Sequence, residues 1–199
     1  MRILAIETAT EACSVALFED GAPLDARHEV LGRGHAERLV PMIAELPDKG
    51  RAGEIRVSLG PGSFTGVRIG LAVARALGIA WGAHVRGYPT LALVAAMAAG
   101  PARVCMTGGH GEWFVQDFGE NGQPQGDLAS LVPDAAAALS PAALVAGSKA
   151  EELAAFAPAP LSPVRLPDAR HALAVPESLL TDSLAPLYGR PPDAKRPGV

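Results

Sequence analysis

Charge is scarce in this chain of 199 residues: Lys and Arg number 17, Asp and Glu 21, and the four types make up 19%. The net charge of −4 leaves no basic excess of the kind that gathers nucleic-acid phosphates, so direct nucleic-acid binding is disfavoured. Aromatic residues are only 5% and cysteines only two. Cys13 and Cys105 show no Cys-x-x-Cys spacing, which excludes a disulfide scaffold or a zinc ribbon and fits a reducing cytoplasm. His28, His35, His84, His110 and His171 never form a His-x-x-x-His pair, the spacing that sets two metal ligands on one helical face, so no metal site is expected. Long apolar runs are missing too: residues 69–83 are broken by Arg75, and residues 88–99 fall short of the roughly 18 needed to span a bilayer. Neither a membrane anchor nor a signal peptide is expected, and the expected location is cytoplasmic.

What is present is globular. Apolar residues are 49% of the chain, enough for a core without staples, and the length lies between one large domain and two small lobes. Residues 3–6, 13–18 and 24–30 read as an antiparallel meander, with Glu19-Asp20-Gly21 as a turn. Leu39, Met42, Ile43 and Leu46 recur at i, i+3, i+4, i+7 and predict an amphipathic helix over 35–46, with Pro41 as a possible kink. A strand over 54–59 leads into a glycine-rich turn from Gly60 to Gly66, where Ser63 is placed to cap a helix running to Ala80. A strand near Val85 and a helix over 90–99, stopped by Gly100-Pro101, complete the half.

The second half repeats the order: strands over 102–107, 112–118 and 123–128, a helix over 134–139, a strand over 143–146 and a helix over 149–156. The fold class expected is α/β, with two similar lobes, 1–100 and 101–199, flanking a cleft. That is the layout of the actin-like, sugar-kinase and ribonuclease H-like folds, here with a reduced second lobe. Nine of the 18 prolines follow Ala157, which predicts a tail that is irregular or wrapped over the surface.

Three features are candidates for function. Residues 60–66 are either a structural tight turn or an anion cradle at a helix N-terminus; no Lys-Ser or Lys-Thr closes a phosphate-loop motif, and no Gly-x-Ser-x-Gly frames Ser63. Gly66, Gly70, Ala74 and Gly78 draw a nearly bare ridge along the following helix, open to this chain's own sheet or to a partner helix. Glu7, Thr8 and Thr10 occupy the first hairpin, where actin-like catalysts present acidic and hydroxyl groups to a nucleotide, but without the usual glycine. Residues 107–111, Thr-Gly-Gly-His-Gly, hold the equivalent place in the second half as a second cradle or a plain hairpin.

Residues 1–18 (MRILAIETATEACSVALF), His35-Ala36-Glu37-Arg38-Leu39, residues 59–70 (LGPGSFTGVRIG), Pro186-Leu187-Tyr188 and Pro192-Asp193-Ala194-Lys195 together resemble the TsaB family, also called YeaZ. The resemblance implies a non-catalytic subunit of the bacterial machinery that makes threonylcarbamoyladenosine beside the tRNA anticodon, a shortened relative of the catalytic subunit TsaD. It implies a heterodimer with TsaD through a bundle of first-lobe helices. The matching positions here are His35, Leu39, Met42 and Ile43 on one helix and Gly66, Gly70 and Ala74 on the other. It also implies a homodimer when TsaD is absent, docking of the ATPase TsaE on the pair, and contact with tRNA through the complex. ATP and threonylcarbamoyl-adenylate would be ligands of that complex, with no cofactor in this chain. The chain departs from the family pattern at Glu7, where many relatives have Asp, and at Gly108-Gly109-His110, where Asp-Ala-Arg is common. The rival reading is an enzyme of the same fold, an ATPase, a kinase or a glycoprotease-like peptidase. A kinase needs a catalytic aspartate and two phosphate loops, and a metallopeptidase needs paired ligands; the motifs for neither are present.

Overall fold

The structure, a computed structural model, describes residues 1–189. Five layers stack in order: two helices, a five-stranded sheet, a central helix, a four-stranded sheet and two short helices. In the first lobe β1 (Arg2–Glu7), β2 (Ala12–Glu19) and β3 (Ala22–Val30) form the expected meander. Then come α1 (His35–Ala44), β4 (Glu54–Ser58), α2 (Phe64–Trp81), β5 (His84–Tyr88) and α3 (Thr90–Ala98). The sheet order is β3-β2-β1-β4-β5, antiparallel through the meander and parallel from β1 onward. Alternation along β1 decides the layers: Leu4 and Ile6 face α1 and α2, whereas Ile3 and Ala5 face α3.

The second lobe contains β6 (Ala102–Thr107), β7 (Trp113–Phe118), β8 (Ala129–Leu131), α4 (Pro133–Ala137), β9 (Val145–Ala146) and α5 (Ala150–Phe156). Its sheet order, β8-β7-β6-β9, is the first order without a fifth strand. The repeated topology is the α/β two-lobed actin-like architecture with a reduced second lobe. Val104, Met106, Phe114 and Phe118 pack with α3 and the inner face of the first sheet into one shared core.

Two expectations change. The third strand of the second lobe lies at Ala129–Leu131 and not at 123–128. Pro124 has no N–H for a ladder and Gly126 has a φ of +106°, so this stretch makes a single bridge, Pro124 to Phe118, and then turns away instead of forming a strand. The sequence after α5 also does not stay in the second lobe: a 3-10 turn, Ala169–Ala174, packs against α3 and the first sheet, and Thr181 bridges Gly87 on β5. Glu177 then accepts from Arg56 at 2.6 Å and Arg86 at 2.7 Å. The chain thus returns as a strap across the first lobe, which fits its wealth of prolines. The sequence motif from Pro192 to Lys195 lies outside the described residues.

Candidate functional site

Residues 60–66 make a clamp. The Ser63 amide donates to the Ala9 carbonyl at 2.7 Å, Thr90 N donates to Gly60 O at 2.8 Å, and Leu187 N donates to Leu59 O at 2.8 Å. A side chain at Gly62 would fall inside contact distance of the Ala9 backbone, so this glycine is required by close backbone approach. Ser63 caps α2 as expected, its Oγ accepting from Gly66 N at 3.1 Å. The equivalent turn, residues 107–111, is a hairpin closed by Gly108 N donating to Glu112 O at 2.9 Å.

The ridge of α2 faces inward. Gly66, Gly70, Ala74 and Gly78 are buried. An added Cβ at Gly66 or Gly70 would collide with Thr8, and one at Gly78 would meet Val85 at 2.5 Å. Leu39, Met42 and Ile43 of α1 are buried in the same core, and His35 Nε2 pairs with Ala12 O at 3.2 Å. The structure thus places His35, Leu39, Met42, Ile43, Gly66, Gly70 and Ala74 on the buried faces of the two helices. Amphipathic periodicity marks a face that needs cover, and here the chain's own sheet supplies it.

The outward faces supply what the sequence reading missed. Thr65, Ala72, Ala76 and Ile79 are exposed along α2, beside half-buried Ile69 and Val73. Ile79 is 87% exposed, and Val40 on the neighbouring α1 is 53% exposed. The stripe carries no charge; Arg68 and Arg75 lie at its flank, held by Tyr188 Oη at 3.1 Å and the Leu184 carbonyl at 2.9 Å. A signal for it existed: 18 residues of mean hydropathy 1.3 are too apolar for a helix with one buried face.

Glu7, Thr8 and Thr10 do not act together. Glu7 is fully buried; its Oε1 accepts from Ala9 N at 2.7 Å, while Oε2 has no hydrogen-bond partner among the described residues. Burial pushes its carboxyl up to about 7, against the lowering effect of the Ala9 N–H and of the Ser58 and Thr90 hydroxyls. Thr8 is also fully buried and its hydroxyl donates to Gly66 O. Only Thr10 lines the cleft between the lobes. Glu7 and Thr8 are thus buried and do not line the cleft.

That cleft encloses about 810 Å³. The first hairpin, the start of α2 and the strap form one wall, and residues 106–110 with Phe114 and Ser148 form the other. Its rim carries two exposed rings, Phe64 and Tyr188, with centroids 6.1 Å apart, and the Arg68 guanidinium lies 3.5 Å from the Phe64 centroid.

A serine, a histidine and an aspartate also meet at the base of the strap, but they are not wired as a hydrolase triad. Ser14 Oγ accepts from Ala169 N at 2.8 Å and donates to Asp168 at 3.3 Å, while His28 Nδ1 stands 3.5 Å from that same carboxylate. The serine is fully buried and its proton is directed to the acid and not to an imidazole. Among the described residues no group of three or more His, Cys, Asp or Glu side chains is placed to hold a metal ion.

The comparisons agree with this architecture. The family model for TsaD, tRNA N6-adenosine threonylcarbamoyltransferase, matches residues 28–176. YeaZ from Pseudomonas aeruginosa superposes with a TM-score of 0.80 at 28% identity, over 94% of this chain and 99% of that one. The tRNA threonylcarbamoyladenosine biosynthesis protein TsaB of Escherichia coli (strain K12) is 44% identical over 100 residues. The chain belongs to the TsaB (YeaZ) family. An uncharacterized protein of Mycobacterium tuberculosis is 34% identical over 97% of this chain and 93% of its own length. The match to the E. coli TsaB takes in 48% of this chain and 43% of that protein, less than half the length of either.

Proposed function

We propose that this TsaB-family chain is a non-catalytic subunit of the cytoplasmic machinery that makes threonylcarbamoyladenosine in tRNA, and that it pairs with TsaD through the outward faces of α1 and α2. The observation that carries the reading is the uncharged stripe around Ile79 and Val40. Ile79, 87% exposed, stands in an uncharged stripe of small helical residues, and small residues let a second helix approach closely. The E. coli relative's name supports the pathway, and the likeness to the TsaD family model is compatible with a partner of related fold. The same face serves a homodimer when TsaD is absent. TsaE docks on the pair, tRNA is engaged through the complex, and ATP and threonylcarbamoyl-adenylate belong to the assembly.

Light scattering after size exclusion, on this chain alone and mixed with TsaD of the same organism, tests the reading. A one-to-one complex that replaces any homodimer is expected. Absence of a complex at tens of micromolar, with and without ATP, overturns it.

A further inference from the structure

Among the described residues four buried side-chain atoms have no hydrogen-bond partner, and three of them, Glu7 Oε2, Ser58 Oγ and Thr90 Oγ1, belong to one place. β1, β4 and β5 run parallel, with Ile6 beside Val57 and Ser58 beside Tyr88, so Glu7, Ser58 and Tyr88 stand in a row at the carboxyl ends of the strands. Leu4, Ile6, Ile55 and Val57 pack with α1 and α2. By alternation Glu7 and Ser58 face the other way, toward α3, whose first residue is Thr90. Glu7, Ser58 and Thr90 are each 0% exposed. The two hydroxyls stand near enough to Glu7 to act on its carboxyl, yet no hydrogen bond joins them to it. Tyr88 Oη, also in the row, donates to Ile6 O at 3.0 Å and so has no proton left for Glu7.

Buried polar atoms keep partners because a dry, unpaired one forfeits its hydration, and three such atoms side by side mark a polar site. A water molecule has the matching set of groups. It donates to Glu7 Oε2 and to one hydroxyl oxygen, and it accepts from the other hydroxyl. A cation fits less well, since Thr90 opens α3 and the positive end of that helix lies beside the site.

We propose that Glu7, Ser58 and Thr90 bind one ordered water molecule, which bridges the end of β1, the end of β4 and the start of α3. Through it the edge of the first sheet is tied to the central helix whose residues join the core shared by both lobes. This assignment is independent of whether the outer helix face pairs with TsaD.

A crystal structure of the full chain, together with urea unfolding of Ser58→Ala, Thr90→Val and the double variant, is the test. A solvent peak about 2.6–3.2 Å from all three oxygens is expected. Each single variant is expected to lower the urea midpoint. The double variant should lose less than the two singles combined, by about twofold or more in the unfolding equilibrium constant, because both side chains act through the same water. Sodium chloride and choline chloride at equal ionic strength should give the same midpoint. Three results overturn the proposal. One is a direct hydrogen bond from Ser58 or Thr90 to Glu7 with no solvent peak between them. Another is full additivity of the two substitutions. The last is a midpoint higher in sodium than in choline for the parent and not for Glu7→Gln, which makes the occupant a cation.

Discussion

The Thr8 hydroxyl donates to the Gly66 carbonyl at 2.8 Å across 58 residues of sequence. Gly66 and Gly70 present no side chain to Thr8, so the helix rests directly on the hairpin after β1. Gly66→Ala and Gly70→Ala each push a methyl group into Thr8. We expect each to cost about 2 kcal/mol or more, at the upper part of the range for overpacking, in urea unfolding at neutral pH. The ridge is a fold determinant, so both variants lose stability whether or not a partner is present.

The outer face responds in the opposite way. Ile79→Asp and Val40→Asp are expected to stay within about 0.5 kcal/mol of the parent in urea, because both positions are exposed. The same variants are expected to abolish the complex with TsaD in size-exclusion light scattering, since a carboxylate buried there has no partner. A complex that survives both substitutions places the partner elsewhere.

Glu7 sets a pH slope. Its folded carboxyl titrates at about 7 against an ordinary 4.5 because it is buried, so the folded state holds a proton that the unfolded chain has released. Stability is therefore full below about pH 4.5 and falls by about 3 kcal/mol as pH rises through 7. Glu7→Gln keeps the shape without the charge. It is expected to flatten that slope in urea titrations between pH 5 and 8, and an unchanged slope refutes the assignment.

Asp168 works with the reverse sign. Burial alone would raise its carboxyl, but hydrogen bonds from the Arg170 side chain and backbone, with His28 nearby, hold it below the ordinary value. Its contribution is present above about pH 4 and is lost as pH falls through the folded value. It also anchors the strap, joining Ser14 on β2 to Arg170. Asp168→Ala is expected to cost about 2–3 kcal/mol. Limited proteolysis should then cut within residues 165–187 first, and a cleavage pattern identical to that of the parent counts against an anchoring role.

The two thiols are expected to be silent. Burial pushes Cys13 up to about 11 and Cys105 up to about 12. At pH 8 about one thousandth or less of either is thiolate. A chromogenic disulfide reagent should react with neither in the folded protein and with both in guanidinium.

The sequence by itself determined the elements and their order. The short apolar runs of β1 and β2, the Ser63 cap and the Gly100-Pro101 stop are local signals, and they placed the first lobe almost to the residue. The resemblance at residues 1–18 and 59–70 named the family through the same stretches. Three things were decided only by the tertiary structure. Which face of α2 is covered depends on where the sheet lies; the helix is apolar on both sides, so its periodicity could not choose between the ridge and Ile79. The surroundings of Glu7 include Ser58 and Thr90, which are distant in sequence and whose hydroxyls act against the effect of its burial. Phe64, Arg68 and Tyr188 meet only because the strap leaves the second lobe and returns along α2, a route fixed by long-range hydrogen bonds such as Thr181 to Gly87 and Leu187 to Leu59. Local patterning specifies segments; which of their surfaces meet is set by packing between residues far apart in the chain.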